Sequence, residues 1–293
     1  MSIVHKSGFV SIVGKPNVGK SSLMNKLVGE NLSIITSKAQ TTRHRIMGIL
    51  NGEDFQIVYS DTPGMLEPKY DLHEAMMTFV KISLEDADLV LFIVELGEKY
   101  DEQLHAPLKN LTAPIVLIIN KIDLAKGSQV KDKIEYWKTL IPAAEIIPVS
   151  ALSGENLDTL LPAIKKYLPE HPAYYPKEDL TDRSERFFAA EMIREKIFTN
   201  YDQEIPYSSE VGIESFKEEE KILKIRATIY VERDSQKGIL IGKGGSSLKK
   251  LGIEARKSLE DFFGKHVFLE THVKVADNWR KHRLKLKHFG YLD

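Results

Sequence analysis

The first half of the chain is marked out by short apolar runs. Phe9-Val10-Ser11-Ile12-Val13 reads as a buried strand, and Ser22 to Val28 after it carries apolar positions at helical spacing. Arg45 to Leu50 and Phe55 to Ser60 read as two strands joined through the turn signal Asn51-Gly52. Leu89 to Val94 and Ile115 to Ile119 are unbroken runs separated by helical segments, as expected of strands covered on both faces in a parallel sheet. Ile146 to Val149 leads to the small-residue turn Ser150-Ala151-Leu152, and a helix over Leu157 to Tyr167 closes this part.

The pattern then changes. Pro169, Pro172 and Pro176, interleaved with Tyr174-Tyr175, predict a stiff extended linker. Beyond it come a helix at about Ser184 to Thr199 and polar–apolar alternation over Val211 to Phe216 and Ile222 to Glu232, the mark of a hairpin. The apolar stretch Gly238 to Ile241 runs into a glycine loop, followed by a helix over Ser246 to Phe263 and a strand over Val267 to Val275. The expected architecture is an α/β three-layer sandwich with a mainly parallel sheet over residues 1–168, a linker at 169–183, and a smaller α+β domain over 184–293.

A chain of 293 residues suits two domains. Its net charge of -1 hides an asymmetry: residues 221–293 hold 17 Lys+Arg against 8 Asp+Glu, and the remainder is acidic. A basic tail points to a polyanion, either nucleic acid or an anionic membrane. The absence of cysteine excludes disulfides, thiol catalysis and cysteine-ligated zinc. Histidines 266, 272, 282 and 288 lack metal-site spacing. No apolar stretch reaches about 18 residues, and the short segment before the first strand suits neither a signal nor a transit peptide, so a soluble, cytoplasmic, bacterial protein is expected.

The chemistry begins at Gly14-Lys15-Pro16-Asn17-Val18-Gly19-Lys20-Ser21, a complete G-x-x-x-x-G-K-[ST] phosphate loop set between a strand and a helix that opens at Ser22. Backbone N–H groups there face a phosphate chain, Lys20 reaches the β- and γ-phosphates, and Ser21 ligates Mg²⁺. The polar segment Asn31 to Arg45, with Thr41-Thr42-Arg43-His44, suits a nucleotide-sensing switch. Asp61-Thr62-Pro63-Gly64 leaves a strand where a second metal-side carboxylate belongs, with Gly64 allowing a close approach to the γ-phosphate. Asn120-Lys121-Ile122-Asp123 ends another strand, and its carboxylate can accept from both guanine donors, whereas adenine offers the wrong edge. Ser150 and Ala151 would stand beside that base. Farther on, Ile241-Gly242-Lys243-Gly244-Gly245 places two glycines at G-x-x-G spacing around a lysine, with Lys249 and Lys250 on the next helix, a pattern suited to RNA.

Taken in order, these motifs resemble those of the Era family of GTPases, which join a P-loop GTPase domain to a C-terminal type II KH domain, and the resemblance covers essentially the whole chain. It implies that Thr42, and not Thr41, is the switch threonine. Ser21, Thr42 and Asp61 would then hold the metal, while Lys20, Thr42 and Gly64 act at the γ-phosphate. In Ras-like enzymes a glutamine follows the D-x-x-G glycine and orients the attacking water; here Met65 stands there and cannot. Asn17 resembles the potassium ligand of cation-stimulated relatives, implying K⁺ as a second cofactor. The family reading further implies slow GTP hydrolysis and a switch that binds small-subunit rRNA near its 3′ end in 30S ribosomal subunit assembly, with no stable oligomer. The competing expectation is a cell-cycle or signalling GTPase whose basic tail, Trp279 to His288, lies peripherally on the inner membrane. In the tail, Trp279, Leu284 and Leu286 are the expected anchors if it docks on its own domain.

Overall fold

In the computed structural model, which describes residues 4–292, the apolar runs become the strands of one sheet. Along the chain come β1 (Lys6–Val13), α1 (Lys20–Val28), β2 (Ile46–Asn51), β3 (Phe55–Asp61), α2 (Asp71–Glu85) and β4 (Leu89–Glu95). They are followed by α3 (Glu102–Lys109), β5 (Ile115–Asn120), α4 (Gln129–Lys138), β6 (Glu145–Pro148) and α5 (Leu160–Tyr167). The strand order is β2-β3-β1-β4-β5-β6, with only β2 antiparallel to its neighbour. Val90, Phe92 and Val94 on β4 share a core with Leu117 and Ile119 on β5, Leu108 on α3 and Trp137 on α4. Burying each such side chain contributes about 1.5–3 kcal/mol. The turns after β1, β3, β5 and β6 lie at the carboxyl ends of parallel strands, the edge at which open α/β sheets bind ligands.

The chain divides into two units, residues 4–68 with 76–182, and residues 69–75 with 183–292. Of the stretch 169–183 read from the sequence as a linker, residues 169–182 run as a strap across the first unit. The Ser7 amide donates to the Pro169 carbonyl at 3.1 Å, and the Ile49 amide on β2 donates to the Leu180 carbonyl at 2.8 Å. Thr181 Oγ1 donates to the Met47 carbonyl at 2.7 Å. Buried Gln56 on β3 accepts from the amides of Tyr174 (2.7 Å) and Tyr175 (3.0 Å) and donates to the Tyr175 carbonyl (2.8 Å). Proline supplies the extended backbone, and the strap's remaining polar groups find partners on the sheet.

The second unit contains α6 (Glu185–Asn200), α7 (Ile205–Ser208), β7 (Glu210–Glu218), β8 (Ile222–Val231), α8 (Asp234–Ile241), α9 (Ser246–Phe263), β9 (His266–Val275) and α10 (Arg283–His288). Its sheet runs β7-β8-β9, antiparallel then parallel. The alternation seen in the sequence puts Leu223, Ile225, Ala227, Ile229 and Val231 of β8 in the core against Ile193 and Ile197 of α6 and Leu251 and Leu259 of α9.

The apolar stretch Gly238 to Ile241, to which the sequence assigns no element, is the end of a helix, α8, started where Gln236 Oε1 accepts from the amides of Glu232 and Arg233. In the tail, Trp279 and Leu286 are fully buried, but Leu284 is 74% exposed and anchors nothing. Tyr291 takes that part instead, buried with its hydroxyl donating to Glu210 Oε2 at 2.5 Å, and Trp279 Nε1 donates to the Ser208 carbonyl at 2.8 Å.

Candidate nucleotide site and nucleic-acid interface

Gly19 takes a left-handed φ of 100° and ends the loop after β1, so α1 starts at Lys20 with its first amides pointing back over the loop. These unpaired amides and the helix dipole favour an anion at that point. A cavity of about 480 Å³ opens there. Its walls are Pro16, Asn17 and Gly19 to Ser22, the switch residues Ile34 to Ser37 and Gln40 to Thr42, Gly64, the base-side residues Asn120, Lys121, Asp123 and Leu124, and Ala151 with Leu152. Motifs from five separate loops therefore converge on one space.

The metal-side groups are already gathered. Ser21 Oγ donates to Asp61 Oδ2 at 2.6 Å and lies 2.9 Å from Thr42 Oγ1. Asp61 Oδ1 is buried and has no hydrogen-bond partner among the described residues. Burial raises the Asp61 carboxyl above the usual carboxylate range, against the Ser21 hydrogen bond and the charge of Lys20. Three hard oxygen donors with an unused carboxylate lone pair suit Mg²⁺. Thr41 also lines the cavity, but its hydroxyl is engaged by Thr36 Oγ1 and the Lys38 carbonyl.

Lys20 is buried, and its ammonium donates to the Lys15 carbonyl at 2.9 Å. Desolvation lowers its pKa to about 8, with the charges of Asp61 and Glu98 opposing the shift. A phosphate entering the cavity would supply the anion this lysine lacks. Gly64 is required by contact: a Cβ there would meet the backbone nitrogen of Pro16 at 2.7 Å. The Met65 amide donates to the Gly14 carbonyl at 2.9 Å, while its side chain is buried in the sheet core and faces no substrate.

On the base side, Asn120 is a scaffold as much as a ligand. Its Nδ2 donates to the Val18 carbonyl at 2.8 Å and its Oδ1 accepts from the Ala151 amide at 2.9 Å, tying the phosphate loop to the turn after β6. Asp123 accepts from Ser150 Oγ at 2.5 Å, and Lys121 pairs with Glu95 at 2.6 Å. Gly14, Lys15, Val18, Asp61, Thr62, Pro63 and Ser150 do not line the cavity; they brace it, Thr62 by donating to the Ile12 carbonyl at 2.8 Å. Arg43 and His44 are buried outside the cavity wall. Ile34 to Ser37 lie in the expected switch segment and Leu152 in the expected base-side turn, though neither is singled out there as a site residue; Leu124, just beyond Asp123, belongs to no motif.

In the second unit Gly242 to Gly245 form the turn between α8 and α9. Gly242 has φ 72°, and a Cβ there would meet Ser247 Oγ at 2.2 Å, so only glycine fits. A groove of about 370 Å³ beside the turn is lined by Gly245, Leu248, Lys249, Gly252, Ile253, Arg256, Leu269 and Thr271. Of the expected RNA residues, Gly245 and Lys249 line it. Gly242, Lys243 and Gly244 belong to the loop at its end, Ile241 packs against the core, and Lys250 points toward Glu254. An apolar floor with basic and glycine edges suits splayed bases with a closely approaching backbone.

A phosphate-binding α/β unit with guanine-side residues, joined to an α+β unit carrying a G-x-x-G turn, defines a GTPase with an attached KH module. Residues 9–121 match the family described as 50S ribosome-binding GTPase, and residues 204–280 match the KH domain family. The structure is similar to Era from Aquifex aeolicus bound to GDP and aluminium fluoride, at 41% identity over 98% of this chain and 100% of that one, TM-score 0.93. It is also similar to Era in complex with MgGDPNP and nucleotides 1506–1542 of 16S ribosomal RNA, at 40% identity over 99% and 100% of the two chains, TM-score 0.94. The chain belongs to the Era family of GTPases.

Proposed function

We propose that this chain is a GTP-hydrolysing switch that binds small-subunit rRNA near its 3′ end and acts in maturation of the 30S subunit. The observation that carries this reading is one cavity walled by phosphate, switch and guanine residues in the same chain as a KH groove. The relative in complex with MgGDPNP and a 16S rRNA fragment supports it.

In this mechanism the amides at the start of α1 and the Lys20 ammonium hold the β- and γ-phosphates, and Asp123 selects guanine. Ser21, Thr42 and Asp61 hold Mg²⁺, which neutralises charge on the phosphate oxygens when bound. Gly64 brings its backbone to the γ-phosphate, and Thr42 makes the switch segment sensitive to it. Met65 offers no hydrogen bond to water, so catalysis rests on positioning and electrostatics, which makes intrinsic turnover slow. Asn17 uses Nδ2 on the Ser37 carbonyl at 2.9 Å, which leaves Oδ1 for a potassium ion beside the phosphates. Equal turnover in potassium and sodium would remove potassium from the scheme.

Ordering of residues 31–44 and the Asp61 turn by the γ-phosphate is proposed to set RNA affinity. The test is binding of a 3′-terminal small-subunit rRNA fragment at fixed salt, with GDPNP and then with GDP. Tighter binding with GDPNP, weakened by Lys243→Glu and Lys249→Glu, is expected; equal affinity in both states would refute the gating. Charge variants are the sounder choice because Gly242→Asp would strain the turn whatever its role.

One feature favours a peripheral membrane role at the cytoplasmic face. Leu284 is exposed among Arg283, Lys285 and Lys287. Liposome binding that survives Lys249→Glu but is lost in Leu284→Ser would support it. No described helix is long and apolar enough to cross a membrane.

A further inference from the structure

Lys15 is the one charged residue of the phosphate loop whose side chain leaves the nucleotide cavity. With Pro16 and Val18 it borders a second space of about 400 Å³ on the other flank of the loop, closed by Glu95 and residues 97–101. Its ammonium donates to the Lys99 carbonyl at 3.4 Å and stands 3.8 Å from Glu98 Oε1. The Glu98 side chain is 4% exposed, and neither of its carboxylate oxygens has a hydrogen-bond partner among the described residues. Its other close neighbour is His105 Nε2, at 3.5 Å. His105 is fully buried and accepts the Asp101 amide on Nδ1, so the ring proton sits on Nε2 and faces Glu98.

A buried carboxylate without hydrogen bonds is costly, and it persists where something else requires it. What it faces here is the back of the phosphate loop. Glu98 is itself fixed from α4, because Lys133 Nζ donates to its backbone carbonyl. Lys15 in turn presents the carbonyl that receives the Lys20 ammonium. Contacts thus run without a break from α4 through Glu98 and Lys15 to the lysine aimed at the phosphates.

We propose that Glu98 is a positioning residue for the phosphate loop, holding Lys15 so that the Lys15 carbonyl keeps Lys20 in register with the β-phosphate. Glu98 touches no nucleotide. It acts by steering the ammonium of Lys15 away from the cavity and so fixing the peptide between Lys15 and Pro16, whose carbonyl receives Lys20. The inference rests on the reading of Gly14 to Ser21 as the nucleotide's phosphate site.

The test is binding of GTP, GDP and GMP to the full chain carrying Glu98→Gln, Lys15→Met, or both. Glu98→Gln keeps the side chain's shape and removes its charge. Loss of one charge-assisted restraint is expected to weaken GTP and GDP by about tenfold, while GMP, which has no β-phosphate, is held as before. In the Lys15→Met background the effect of Glu98→Gln should shrink to the small part carried by its direct charge on Lys20, because the route through Lys15 is gone. Equal weakening of GMP, or an undiminished Glu98→Gln effect in the Lys15→Met background, would overturn the inference by reducing Glu98 to a general structural part. So would unchanged GDP affinity in Glu98→Gln. Lys20→Ala separates the two readings: if it leaves GDP binding intact the phosphate site itself is misassigned, whereas if it abolishes binding and Glu98→Gln does nothing, only the role of Glu98 falls.

Discussion

Replacing Asn120 by alanine should damage the first unit even before nucleotide is added. Asn120 is 2% exposed and bridges two loops through the Val18 carbonyl and the Ala151 amide. Alanine leaves both groups buried without a partner, and at about 1–2 kcal/mol for each of these two orphaned backbone groups the expected loss is about 2–4 kcal/mol in all. Asp123→Ala is the contrast. Asp123 is exposed and gives up one bond from Ser150 Oγ, which still accepts from the Ser153 amide at 3.1 Å. Its loss should cost the unliganded fold under about 1 kcal/mol, yet remove guanine selection. The two tryptophans make the assay clean, because Trp137 is buried in the first unit and Trp279 in the second. In a Trp279→Phe background, urea unfolding followed by fluorescence reports the first unit alone. With m near 2 kcal/mol per molar urea, Asn120→Ala should lower the midpoint by about 1–2 M. Asp123→Ala should leave that midpoint nearly in place but lose the upward shift that GDP gives the native protein. If Asn120→Ala unfolds within about 0.3 M of the native midpoint, the bridge adds nothing to the fold and the reasoning fails.

The remaining predictions are briefer. Burial lowers Lys20 to about 8 in the nucleotide-free site, and bound phosphate would hold it charged, so binding above pH 8 requires a proton to be taken up. Affinity for GDP is then full below pH 8 and falls as pH rises, about tenfold between pH 7 and pH 9; Lys20→Arg stays charged and should flatten the profile, and equal slopes would place the titration elsewhere. Trp279→Ala empties a fully buried site and frees the Ser208 carbonyl, costing the second unit about 3–5 kcal/mol. Leu284→Ala, at an exposed position, should stay within about 0.5 kcal/mol when urea unfolding of the second unit is followed by Trp279 fluorescence in a Trp137→Phe background.

What the sequence disclosed and what it hid follow from the range of the forces involved. The phosphate loop, the Asp61 turn and Asn120 to Asp123 were legible because backbone geometry and ligand chemistry restrict their residues locally. Strands β1, β4 and β5 were legible because burial on two faces leaves apolar runs, and β2 and β3 because Asn51-Gly52 marks the turn between them. Helix α8 was not, because Ile239, Leu240 and Ile241 are too short an apolar run to show a helical period, and of the three only Leu240 is fully buried. The choice of Thr42 over Thr41 came from the family resemblance alone, since the Thr42 hydroxyl meets Ser21 through a contact across 21 residues that no local pattern encodes. The wall at Leu124 was missed because its part in the site comes from where the folded loops bring it, and Ile34 and Leu152 were placed only as members of a segment and a turn.

The strap of residues 169–182 has a bearing on how the molecule can be cut. β2 is the outermost strand of its sheet, and an outer strand offers a row of free amides and carbonyls to any other chain. Leu180 and Thr181 cover that row at Ile49 and Met47, and the two tyrosine peptides occupy Gln56. A fragment ended at Leu168, where the composition of the chain invites a cut, would keep the whole catalytic cavity and yet bare a sticky sheet margin, turning a well-behaved enzyme domain into one that self-associates. Carrying the fragment on through Asp182 keeps the margin sealed.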